Sequence, residues 1–226
     1  MTRDNSRRAG FTLIELNLAI VFVAFLVLAV AMMTLNVTHT YRYGVSLKMI
    51  NQLGREVSDQ LRRDLLSASP TLTTYIGPTD TAPGIGRLCL GNVSYVFNNA
   101  ELLNNGGMTP VKDPNSEDIT MVRIEDANRT WCTAGVNTIP AGAKYTEILQ
   151  ADVTPVAIHA MSVETLAATD AEDRMSEGII QVSFELGTNE TNTTDGGKCK
   201  PPTDPEQNFD NCAVRQFVVI TRATGG

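Results

Sequence analysis

Glu15 is a lone carboxylate set into an apolar run. Between Phe11 and Leu35 the only strongly polar side chains are Glu15 and Asn17. An ionised carboxyl in such surroundings is costly unless something pairs with it, so its chemistry is charge pairing. The four cysteines, Cys89, Cys132, Cys199 and Cys212, form a second set. An even count outside the cytoplasm favours disulfides. Four cysteines allow three pairings, and sequence separation suggests Cys89 with Cys132 and Cys199 with Cys212. There is no CxxC, and His39 and His159 stand alone, so no zinc ligand set is legible. Asp113, Asn115, Glu117 and Asp118 in one loop, and Asp195, Asp204 and Asp210 in another, supply the oxygens calcium takes. Neither loop follows the EF-hand order. Ser, His and Asp occur at no diagnostic spacing, and GxSxG, HExxH and the Walker loop are absent. The residues therefore predict a protein that is not an enzyme and has no cofactor or metal.

The elements that position Glu15 follow from hydropathy. The apolar run exceeds the roughly 20 residues a helix needs to cross the bilayer core. Arg3, Arg7 and Arg8 precede it with only Asp4 against them. The positive-inside bias then puts the N-terminus in the cytoplasm and the remainder outside. A signal peptide would have a shorter apolar core and a small-x-small cut, for which Ala29-Val30-Ala31 would serve. Glu15 argues against it, because a simple signal core gains nothing from a charge.

The chain carries a net charge of −7; residues 1–10 contribute +2, leaving −9 for the rest. An acidic exported domain has no bulk attraction for nucleic acid. Lys198 and Lys200, flanking Cys199, are the one small basic tip that could serve DNA uptake.

Beyond the run, Leu47, Ile50, Leu53, Val57, Leu61 and Leu65 recur at three- and four-residue steps, one face of an amphipathic helix. Arg55, Glu56, Asp59, Arg62, Arg63 and Asp64 are assigned to the opposite, polar face. Pro70 stops the helix, and Gly44 and Gly54 are the expected places for a bend. Strands are expected at Leu88 to Phe97, Ile119 to Ile124, Tyr145 to Gln150, Val156 to Leu166, Ile179 to Leu186 and Val214 to Thr221. Pro78 to Gly86 reads as a loop. The fold class is α+β, a long N-terminal helix packed on an antiparallel sheet.

Gly10-Phe11-Thr12-Leu13-Ile14-Glu15, with a basic leader before it and an apolar helix after it, resembles the processing site of type IV prepilins and of the pseudopilins of type II secretion. The resemblance implies a pilin-like fold and a cut after Gly10 by the prepilin peptidase. Phe11 would then be methylated and Glu15 would be the fifth mature residue. Glu15 would pair with the new amine of an adjacent subunit, neutralising two charges that are each expensive in an apolar core. The regions so implied are a leader 1–10, a transmembrane and filament-core helix 11–35, its amphipathic continuation 36–69, and an extracytoplasmic β domain 70–226. The protein would be held in the inner membrane before entering a cell-surface or periplasmic filament. Its partners would be membrane lipid, an inner-membrane assembly platform and other pilin or pseudopilin subunits. Arg215 to Arg222 resembles the last strand of larger minor pilins and of J-type minor pseudopilins. The alternatives are a filament-mounted adhesin or DNA receptor, or a minor pseudopilin of a type II secretion system.

Overall fold

A computed structural model of the chain describes residues 12–69, 72–78, 84–104, 109–132, 136–150, 156–166, 178–189, 194–195, 198–200 and 212–223. It divides into two compact units, residues 1–42 and 43–226. Helix α1, Leu13–Ser67, contributes to both.

In the first unit, every described side chain from Thr12 to Thr38 is exposed. Three threonine hydroxyls on and just beyond this stretch are satisfied by their own helix. The hydroxyls of Thr34, Thr38 and Thr40 donate to the carbonyls of Val30, Thr34 and Asn36 at 2.8, 2.9 and 3.0 Å. That economy suits an environment without water, where a hydroxyl must find its acceptor on its own helix. By length and composition this helix could cross a membrane.

The second unit combines the rest of α1 with two antiparallel sheets. Strands β1 (Thr73–Ile76), β2 (Ile85–Leu90), β3 (Val93–Asn98), β4 (Met121–Glu125) and β5 (Tyr145–Leu149) lie in that order in a five-stranded meander; the short helix α2 (Ala100–Asn104) follows β3. Strands β6 (Val156–Leu166), β7 (Gly178–Thr188) and β10 (Val214–Ala223) form a three-stranded sheet in the order β10-β7-β6. A ribbon of two two-residue strands, β8 (Thr194–Asp195) with β9 (Lys198–Cys199), completes the described strands. A parallel bridge between Asn99 and Ile158 links the two larger sheets.

The main core forms where the helix stripe meets both sheets. Ile50, Val57, Leu61 and Leu65 are fully buried, with Leu47 and Leu53 at the margin. They share one cluster with Leu88, Tyr95, Phe97 and Met121 of the larger sheet and Val182, Phe184 and Val219 of the smaller. A second cluster, containing Val96, Val122, Ile124 and Trp131, lies on the other face of the five-stranded sheet. Strands sandwiched in this way need apolar residues on both faces, and β2 is buried along its whole length, with Arg87 as the charged exception whose Nη2 donates to Val136 O at 2.9 Å.

The structure changes several expectations. Leu88 to Phe97 is two strands, not one, turning at Gly91, whose φ of +73° is in the left-handed region that glycine tolerates. The expected Pro78 to Gly86 loop gives way to β2 at Ile85, and β1 is an additional strand. The single expected sheet is two larger sheets and a short ribbon. Asp64, assigned to the polar face, is buried.

Gly54 does not end the helix, which runs through it. A methyl group there would overlap the ring of Phe217 in β10, so the glycine serves close helix-to-strand packing.

Candidate functional site

The helix start is built on Thr12 and Glu15. Thr12 stands at the N-cap and Glu15 three residues on. Glu15 N–H donates to Thr12 Oγ1 at 3.3 Å, while Glu15 Oε2 accepts from Thr12 N–H and Thr12 Oγ1, both at 2.9 Å. This is a reciprocal capping box, which satisfies amides that the first helical turn otherwise leaves unpaired. The first intrahelical bond follows, Leu16 N–H to Thr12 O at 3.2 Å. A carboxylate in the first turn also faces the positive end of the helix dipole. All the bonds to the carboxylate fall on Oε2, and a carboxylate has acceptor sites on both oxygens, so it can receive a cation as well.

Glu15, Leu18, Ala19, Val21, Phe22 and Phe25 outline a shallow apolar depression of about 590 Å³ on this helix. Among the described residues that line it, the carboxylate is the only acidic or basic group. Gly10 and Phe11, the proposed cleavage pair, lie outside the described residues.

A second polar cluster holds the helix to the five-stranded sheet. Arg123 on β4 clamps Asp64 with two bonds, Nε to Oδ2 at 2.7 Å and Nη2 to Oδ1 at 3.1 Å. Tyr95 on β3 donates its hydroxyl to the same Oδ2, and Gln60 donates from one turn earlier at 3.3 Å. Burial by itself would raise the Asp64 carboxyl. The Arg123 guanidinium and Tyr95 hydroxyl outweigh it and hold the group below its usual range. Burial, with the Asp64 carboxylate beside it, pushes the Tyr95 phenol up. The cluster ties the second half of α1 to β3 and β4 and so fixes which of its faces meets the sheet.

Cys89 is bridged to Cys132 and Cys199 to Cys212, with Cα–Cα separations of 5.9 and 5.7 Å. The first bridge fastens the 3₁₀ turn Thr130–Cys132 to β2. Asp126 supports the same turn, accepting from Thr130 N–H, Trp131 N–H and Ser94 Oγ at 2.8, 2.9 and 2.9 Å. Trp131 is thereby buried in the second core cluster.

The calcium-type loop is also committed internally. Asp113 accepts from the amides of Asn115 and Glu117 at 2.9 and 2.7 Å and from the Asn115 side chain at 3.0 Å. Asp118 pairs with Lys112 at 2.8 Å. Asp204 and Asp210 fall outside the described residues, as do the side chains of Asp195 and Lys198. Lys200 is half-buried and has a partner of its own.

His159 sits at the bulge of β6 and is buried, with its Nε2 3.1 Å from Thr188 O.

Thr12 and Asp64 are the residues that sequence reading missed. The T-x-x-E spacing signalled the first; nothing local signalled the second. No protein-family model, curated protein or solved structure matches the chain.

Proposed function

We propose that this chain is a minor subunit of a type IV pilus or a related filament, with a pilin-like fold. It is stored in the inner membrane with its N-terminus in the cytoplasm. The prepilin peptidase cuts after Gly10, Phe11 is methylated, and an inner-membrane platform extracts the subunit and adds it to the filament through its N-terminal helix.

The observation that carries this reading is the contrast along α1. Its first half is apolar and uncovered on every side, while its second half buries a single stripe under two sheets. Covering such a surface requires lipid before assembly and like helices after it. The hydrophobic effect favours leaving water in both cases, so transfer from membrane to filament keeps the apolar helix shielded.

Glu15 supplies the register. In the filament its carboxylate receives the Phe11 amine of a neighbouring subunit, and the capping box already holds it at the rim of the helix start. Mass spectrometry of sheared filaments tests the assignment. The expected mature chain begins at Phe11 with one added methyl group and is present in few copies. A chain beginning at Met1, or its absence from filaments, would overturn it. Glu15→Ala is expected to leave the protein in the membrane and lower its incorporation into filaments at least tenfold, a coupling of about 1.4 kcal/mol or more.

A further inference from the structure

The two larger sheets have four edges, and three of them are blunted in the ways that keep strands from pairing with other chains. β1 has four residues. β5 has five and meets β4 across a register shift at Met121/Val122. β6 carries a bulge at His159 and is bridged to Asn99.

β10 has none of these protections. It runs ten residues without proline or bulge, in unbroken register with β7 from Val214↔Gly187 to Ala223↔Gly178. Among the described residues no strand pairs with its other side. Every second residue there directs an amide and a carbonyl outward. The exposed side chains in its middle are apolar and β-branched, Val218 at 48% and Ile220 at 56% exposure.

We infer that β10 is the edge through which two copies of this chain join, by antiparallel pairing about Val219. The inference rests on the second unit alone and stands apart from the filament reading. Pairing about Val219 sets Val218 opposite Ile220 of the second copy, and does so twice by symmetry. Gln216 comes opposite Arg222, and Arg215 opposite Ala223, so no like charges face each other. Shifting the centre to between Val218 and Val219 would place Arg215 opposite Arg222, which is unfavourable. Centring on Val218 or on Ile220 instead would leave one of the two exposed apolar residues opposite Gln216 or Arg222, so the register about Val219 is the one that pairs both, and the product is a closed, two-fold interface joining two three-stranded sheets into one of six.

The test is sedimentation of the full-length chain in mild detergent at micromolar concentration. The wild type is expected to dimerise, and the double variant Val218→Lys/Ile220→Lys to weaken the dimer at least tenfold, since it sets ammonium groups opposite each other. Both positions are exposed, and far-UV circular dichroism verifies that the variant is folded. Val218→Lys mixed with Ile220→Glu is expected to form a hetero-dimer more tightly than either variant alone, because the new charges are opposite one another in this register only. A monomeric wild type would overturn the inference. So would a dimer that the double variant leaves unchanged, because the exposed helix would then be holding it.

Discussion

Truncating Asp64 would strand the Arg123 guanidinium and the Tyr95 hydroxyl inside the helix–sheet contact. Hydrogen bonds to charged groups are worth roughly 1.5–3 kcal/mol, so Asp64→Ala is expected to cost about 2–3 kcal/mol. Urea unfolding monitored through Trp131, the single tryptophan, measures it, since that residue reports the second unit. Arg123→Ala combined with Asp64→Ala should cost less than the sum of the two single changes, because they break one interaction. The folded-state pKa of Asp64 is depressed, so its contribution is present above about 3.8 and is lost as pH falls through the lower folded value.

His159 acts in a different pH window. Burial holds its imidazole below the usual value of 6.5, against weaker opposing effects from Thr188, Glu185 and Gly187. The unfolded chain therefore takes up a proton first as pH drops through 6.5, and stability should fall between that point and the folded pKa. Unfolding at pH 7.5 and 5.5 should show this loss in the wild type and a smaller one in His159→Gln. An unchanged slope would remove His159 from the account.

At the scale of elements, Gly54 sets two effects against each other. Helix propensity alone predicts that Gly54→Ala stabilises by about 1 kcal/mol. The methyl group, however, would occupy the space of the Phe217 ring, which stacks on Phe184 at 5.3 Å between centroids. Overpacking of this kind costs about 1–3 kcal/mol, so the substitution is expected to destabilise. Gly54→Ala with Phe217→Leu should recover part of the loss by making room. A stabilised Gly54→Ala would mean that β10 yields to the helix. At the helix start, Thr12→Val removes the cap hydroxyl and should reduce protection of the first-turn amides by about 1 kcal/mol, readable as faster exchange at Glu15 and Leu16.

At the scale of the whole molecule, the two disulfides close loops of different length, with sequence separations of 43 and 13. Loop-closure entropy assigns about 4 kcal/mol to the first and about 3 kcal/mol to the second. Replacing Cys89 and Cys132 together by alanine should therefore lower the thermal midpoint more than replacing Cys199 and Cys212, and should also expose Trp131. Equal effects would indicate that Asp126 holds the Trp131 turn without the bridge.

Local chemistry made the long helix legible in the sequence. The apolar run, the stripe from Leu47 to Leu65 and the stop before Pro70 depend on residues three to eight apart, so the helix and its buried face followed from spacing alone. Thr12 and Glu15 form a capping box for the same reason. Several strands were also legible from β-branched runs, although the Gly91 turn was hidden inside one because β2 and β3 are both apolar. What the sequence could not determine depends on partners far along the chain. Asp64 looked like one more surface acid until the fold brought Arg123, 59 residues away, against it. Gly54 looked like a weak point in the helix until Phe217 filled the space beside it. The division into two sheets, with β10 left as the long edge, is likewise a tertiary outcome. Strand pairing is decided between segments distant in sequence, whereas helix formation and burial stripe are decided between neighbours.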